Sequence, residues 1–432
     1  MNFRISLIGF LISMLAATAF AQEEPKTLTR TADHITVTGQ KIGLGNIDIP
    51  KLALFACHNG ECNPIPFQID ERTDDNDYAF TKGPEAKTDS SPNVFDSNDE
   101  LVFSVRDTGD RFSPLALPNY VQAAEIEVTD PQNGNKGWCY LLEFSGPAQR
   151  SKEDRVNYLL DEDQIDTIYY TVGFAKKVPI AYDYLCIKSE AGGNNTDILD
   201  RFKMHVWASF FFGKLHYSRN EEDFTSRLVA WIDGPIRVIR RTKNALKVFG
   251  NVKVPEVIGD SVYYDNGMMF PTIFIIPVRL DLILTKGEFI GTTDFSPNAK
   301  GMVFYNSRNP NPMVIDGKMD ASEKALDLLP YEWAVVTGPQ GTWMSRLVLG
   351  AGVNLNKNLY YVDDESAIDA PEEHPGQIGS VGYRMDNLHK AHRGENRFAS
   401  IIYIPPNFKR GMESQYLDII DHPLRVEVKI LK

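Results

Sequence analysis

The stretch RFKMHVWASFFFGKLHYSRN, residues 201–220, gathers cations, imidazoles and aromatics into one short segment. Arg201, Lys203, His205 and Trp207 occupy alternate positions. Arg and Lys neutralise carboxylates and an indole stacks on a pyranose ring, so this set suits an acidic sugar. His216, Tyr217 and Arg219 follow closely. If the chain turns back at Gly213, His205 as base, Tyr217 as acid and Arg219 as carboxylate partner make a set for a polysaccharide lyase or an epimerase. The plainer reading is a strand whose polar face is half covered by another layer.

The positions between them set the element. Phe202, Met204, Val206, Ala208 and Phe210 recur every second residue, the period of a β-strand with one face toward a core. A strand of that kind needs a second apolar layer, and the rest of the chain supplies strand signals for it. Asn59-Gly60, Asn133-Gly134, Asp233-Gly234, Asn266-Gly267 and Asp316-Gly317 mark turns between strand-like runs. RLVAWIDGPIRVIRR predicts a hairpin of Arg227 to Ile232 with Ile236 to Arg241. The closing LRVEVKIL alternates apolar and charged residues. One helix is predicted from Asp320, with Glu323 completing a capping box and Pro330 as the stop. Weaker helical turns are expected at Asp154 to Leu160 and at Met385 to Arg393. The expected fold is mainly β: stacked antiparallel β-sandwiches, supersandwich-like in arrangement, with one or two short helices.

The most acidic block runs from Glu61 to Asp110, with thirteen acids against four bases. Within it Asp96, Asn98 and Asp99 precede a strand. Oxygen donors so spaced can wrap Ca²⁺, although the EF-hand pattern is absent. The alternative, and the better one, is an Asx-rich turn that starts the strand. His389 and His392 lie three apart without a placed third ligand, which reads as a polar turn rather than a zinc site. No cofactor is expected beyond that calcium option. Nucleophile-elbow, S-x-x-K and phosphate-loop motifs are absent, as is the C-x-x-C-H of haem attachment.

Residues 1–21 read as a cleaved signal peptide. Arg4 precedes an apolar run from Ile5 to Leu15, and Ala19-Phe20-Ala21 is a small-x-small cleavage site. The expected product is exported to the periplasm or beyond, with no integral membrane segment. Export suits the ALFACHNGECNP segment. An Asn59-Gly60 turn sets Cys57 opposite Cys62 as a non-hydrogen-bonded pair with Cα atoms about 4.5 Å apart, close enough for a disulfide. Cys139 and Cys186 remain for a second bridge that spacing alone does not establish. The net charge of −13 repels polyanions, so nucleic acid is not an expected partner and anionic membranes are poor ones on average. A polar, punctuated stretch at 146–164 divides an N-terminal β-sandwich, 22–150, from a larger one, 165–432.

The phrases PIPFQIDER (64–72), NDELVF (98–103), the 195–241 stretch and YEWAVVTGPQGTW (331–343) resemble secreted bacterial β-rich proteins, a likeness that carries no activity to transfer. DGPIRVIRR, 233–241, more faintly resembles a strand of galactose-mutarotase-like supersandwich proteins. That likeness implies a Tyr, His or Glu acid–base group with a nearby Arg for a uronate. Two functions are therefore expected to compete: binding of a carbohydrate or another envelope partner without catalysis, and a lyase or epimerase activity.

Overall fold

The computed structural model describes residues 24–112, 117–249, 252–253, 256–276 and 278–431. The expected leader, residues 1–21, lies outside them. The described chain is mainly β, and every strand pair in its sheets is antiparallel. No helix among the described residues is long and apolar enough to cross a membrane.

The larger unit is a sandwich. One layer is a ten-stranded sheet running from the Phe224–Asp233 strand to Met313–Val314. Facing it are a five-stranded sheet centred on Leu199–Phe210 and Leu284–Phe295, and a four-stranded sheet spanning Val156–Leu159 to Tyr182–Ile187. The core between these layers holds Tyr170, Leu185, Val238, Tyr263, Trp343, Val381 and Ile402, all essentially without solvent contact. Each comes from the inward set of an alternating strand, which is why period two in the sequence became layers in space.

The smaller unit sets the Leu52–His58, Gln122–Thr129 and Lys136–Glu143 strands in a five-stranded sheet. A three-stranded sheet with His34–Thr38 and Glu100–Ser104 covers one face. Its edge is the terminal strand Arg425–Leu431, paired with Gln122–Thr129. The last strand was expected in the larger unit. Its apolar Val426 and Val428 pack instead on the smaller unit's core, so the chain closes on itself.

Several local expectations change for identifiable reasons. The helix at Asp320 forms with its capping box, yet spans only Ala321–Lys324. Asp327, which the pattern placed within the helix, accepts a backbone hydrogen bond from Leu329 and an ion pair from Arg308, and so organises a turn. The stretch expected as a turn near Asp154 to Leu160 is the strand Val156–Leu159, and Met385 to Arg393 holds a single 3₁₀ turn, Leu388–Lys390. The helix Glu413–Asp421 had no counterpart in the sequence reading. It packs Tyr416 onto the back of the ten-stranded sheet.

The Asn59-Gly60 turn forms as expected, with both residues at positive φ, and Cys57 is bonded to Cys62 with Cα atoms 4.0 Å apart. Cys139 and Cys186 are both buried free thiols, so no second bridge exists between them. Asp233-Gly234 also closes a hairpin, but pairing begins at Asp233 with Val238. The loop is longer than two residues because the Gln68 side chain crosses it, accepting hydrogen bonds from the Ile236 and Arg237 amides. A Cβ on Gly234 would stand 2.4 Å from the Gln68 amide carbon, so a larger residue there would displace the Gln68 side chain from these amides.

Candidate functional site

The 201–220 segment folds as the strands Leu199–Phe210 and Leu215–Asn220, joined by a turn over Phe211–Gly213. Register decides which side chains can meet. His205 faces Asn220 and Trp207 faces Ser218 across the pair, whereas Val206 faces Arg219 and Ala208 faces Tyr217. Opposed residues share a face and neighbours alternate. His205 and Trp207 therefore project from one side, and Tyr217 and Arg219 from the other. Tyr217 and Arg219 both reach the Lys247 carbonyl, with the guanidinium 4.5 Å from the phenol ring centre. His205 instead pairs with Asp369 at 3.1 Å. The acid, the base and the carboxylate partner expected from sequence are not brought into one cleft.

The polar face of Leu199–Phe210 is organised around Lys203, which has no exposure. Its ammonium lies 2.6 Å from Asp294, 3.8 Å from Asp200 and 3.7 Å from Glu372, and donates to the Asp369 carbonyl at 2.7 Å. Burial pushes the Asp294 carboxyl up to about 7 even against the pull of Lys203. Asp200 in turn accepts the backbone amides of Glu373 and His374 at 3.0 and 2.7 Å, and Glu372 accepts those of Asp369 and Gly376. The effect is mechanical: a buried ion cluster clamps the 369–376 loop onto the strand. Lys203 thus has no surface to offer a ligand. His205 is partly exposed, and Trp207 stacks on His216 with ring centres 5.7 Å apart.

Arg201 differs from its neighbours. Its guanidinium lies 3.3 Å from the buried Glu221 and reaches the wall of a cleft of about 390 Å³. The clamped loop brings Glu373 to the same cleft, and the Tyr182–Ile187 strand brings Asp183. Tyr184, Lys176, Lys177, Glu162 and Glu222 are among the other residues of its wall. Asp183 is pushed up to about 6, first by burial and then by the charge of Glu373, with which it shares a hydrogen bond; Arg201 pulls it back in part. A carboxyl raised to about 6 beside a second carboxylate and a cation can accept from one hydroxyl, donate to another, and exchange a proton near pH 6. A carboxyl ¹³C titration of the folded protein should place the Asp183 midpoint near 6, and Glu373→Gln should lower it.

Neither Asp183 nor Glu373 stands among the site residues expected from the sequence. Some 190 residues separate the two, so neither spacing nor motif joins them. The signal available was Asp183 itself, a carboxylate between two tyrosines in an apolar strand.

The Asp96, Asn98 and Asp99 turn is engaged internally. Asp99 accepts from the Arg72 and Asp96 amides, Asp96 accepts from the Asn98 amide, and the Asn98 side chain donates to the Thr73 carbonyl. These contacts make it an Asx-type turn. Among the described residues no cluster of three or more His, Cys, Asp or Glu could hold a metal ion. A second hollow, about 450 Å³, lies over residues 308–325. Its Asp320 and Glu323 are spent on the helix capping box.

No protein-family model and no curated protein matches the sequence. Among the solved structures that are similar are an alpha-mannosidase from Enterococcus faecalis V583 and a protein in the glycosyl hydrolase family 38 from Enterococcus faecalis. Each is 7% identical, with a TM-score of 0.47 over 95% of this chain. The chain spans less than half of either, 46% and 47%. Neither is a galactose mutarotase, and a likeness this distant carries no functional argument.

Proposed function

We propose that the protein is an exported β-sandwich that binds a carbohydrate in the cleft formed by Asp183, Glu373, Arg201 and Tyr184. The observation that carries this reading is the Asp183–Glu373 pair held beside Arg201 in an open hollow. A sugar presents adjacent hydroxyls that both donate and accept. The raised Asp183 carboxyl beside Glu373 answers both roles, Lys176 and Lys177 supply further donors at the rim, and Tyr184 offers an aromatic surface. The Lys203 cluster then acts at one remove, by holding the loop that carries Glu373. Arg201 keeps the role expected for it from sequence, beside different partners.

Catalysis is the second reading, favoured by one observation: a carboxyl titrating near 6 is suited to general acid work. Such an enzyme would use Asp183 and Glu373 rather than His205, Tyr217 and Arg219, whose faces diverge. A panel of neutral and acidic polysaccharides, screened for retention of the purified protein and for new reducing or unsaturated ends, separates the readings. Retention without products is the expected result. Products would establish catalysis, and neither retention nor products across the panel would remove both sugar readings.

A further inference from the structure

The molecule has one end at which apolar side chains are presented outward instead of packed. The turn joining Leu199–Phe210 to Leu215–Asn220 carries Phe211 at 67% exposure, Phe212 at 96% and Leu215 at 55%. Phe210 pairs with Leu284, which brings the 3₁₀ turn Leu280–Leu282 alongside, with Leu282 at 73% and Ile283 at 45% exposure. That turn packs against Leu388–Lys390. Ile276 pairs with Gly394, placing the exposed Ile275 of the opposite sheet at the same end. Tips from both layers of the sandwich therefore lie at one end.

Two features say what covers it. The first is backbone conformation. Phe211 and Phe212 have φ of 49° and 56°, the left-handed region that disfavours bulky residues, yet both rings point to solvent. Left-handed backbone held while both rings stay largely exposed marks a turn shaped for something outside the chain. The second is charge. The segments 210–216, 278–286 and 386–394 hold five Lys or Arg and two Asp or Glu, in a chain whose net charge is −13. Asp281 is paired with Arg279, while Lys214, Lys286, Lys390 and Arg393 are exposed and have no carboxylate partner among the described residues.

We infer that this end docks on a bilayer carrying anionic headgroups. Exposed apolar tips carried on separate turns suit a surface that yields around them. Exposed cations on the same turns as aromatic and aliphatic tips match headgroups above an acyl layer. A second protein would require complementary hollows for each tip. The average charge argues against anionic membranes, and this end is where the charge reverses locally.

The test uses the full protein purified after export and vesicles of phosphatidylethanolamine with phosphatidylglycerol, compared with phosphatidylcholine alone. Co-flotation should be seen with the anionic vesicles, weaken at least tenfold in 1 M salt, and weaken at least tenfold in the double variant Phe211→Ser, Phe212→Ser. Lys214→Glu with Lys390→Glu should abolish the preference for anionic lipid. Absence of flotation, equal flotation of the serine variant, or self-association that the serine variant loses without any vesicle binding would each overturn the inference. Should the serine variant fail to fold, Phe212→Trp replaces it. Its added emission shifts to the blue on anionic vesicles if the tip inserts, and an unshifted emission overturns the inference.

Discussion

Replacing Arg237 with methionine is expected to destabilise the protein by about 3–5 kcal/mol, the usual cost of leaving buried carboxylates without their cation. Arg237 is 4% exposed and lies where the two units meet. Its guanidinium donates to Asp70 at 2.7 Å, to Glu100 at 2.6 Å and to the Tyr264 hydroxyl at 3.1 Å. Asp70 is itself 1% exposed. Methionine fills much of the volume but answers none of these acceptors. For a chain of this length the midpoint should fall by on the order of 5 °C. Arg237→Lys should recover only part of the loss, since an ammonium cannot reach three acceptors in a plane. Urea unfolding followed by circular dichroism measures both. A change within 0.5 kcal/mol for the methionine variant would show that the interface does not depend on this network.

Lys203→Met is expected to cost about 3 kcal/mol or more at pH 8, for the same reason. The pH dependence identifies the cause. Asp294 already titrates near 7, far above a free aspartate, because burial opposes its charge. Without Lys203 its folded-state value rises further, while its unfolded value stays ordinary. A raised carboxyl pKa means that the folded state holds the proton over a wider range, and folding loses stability as pH rises toward that value. The gap between variant and wild type should therefore widen above pH 7 and shrink below it. Unfolding curves at pH 6 and pH 8 check this. A gap that did not depend on pH would indicate lost packing alone. Because the cluster clamps the 369–376 loop, the same variant should also weaken ligand binding without touching the cleft.

The alternation in residues 201–210 was enough to read a strand with one core face, and the Asn59-Gly60 turn was enough to pair Cys57 with Cys62. Both depend on neighbours in sequence, where periodicity and turn chemistry act directly. What covers the strand's polar face was not legible there. Asp369, Glu372 and Asp294 come from distant segments, and only pairing of Leu199–Phe210 with Leu284–Phe295 and the return of the 369–376 loop bring them to Lys203. Lys203 looked like a ligand contact because an isolated cation in a strand says nothing of its partners. DGPIRVIRR misled in a related way. The likeness implied an Arg for a uronate, but the segment's Arg237 and Arg240 are both buried in structural pairs, Arg240 with Asp163 at 2.6 Å. Tyr217 and Arg219 were separated from His205 by a one-residue matter of register that a sequence does not display.

The most direct test is calorimetric titration, at pH 6, of the polysaccharide best retained by the wild type into Asp183→Asn and Glu373→Gln. Each variant should bind at least tenfold more weakly than wild type, with its melting midpoint retained. Wild-type affinity in both variants would place the ligand elsewhere on the molecule and contradict the assignment of the cleft.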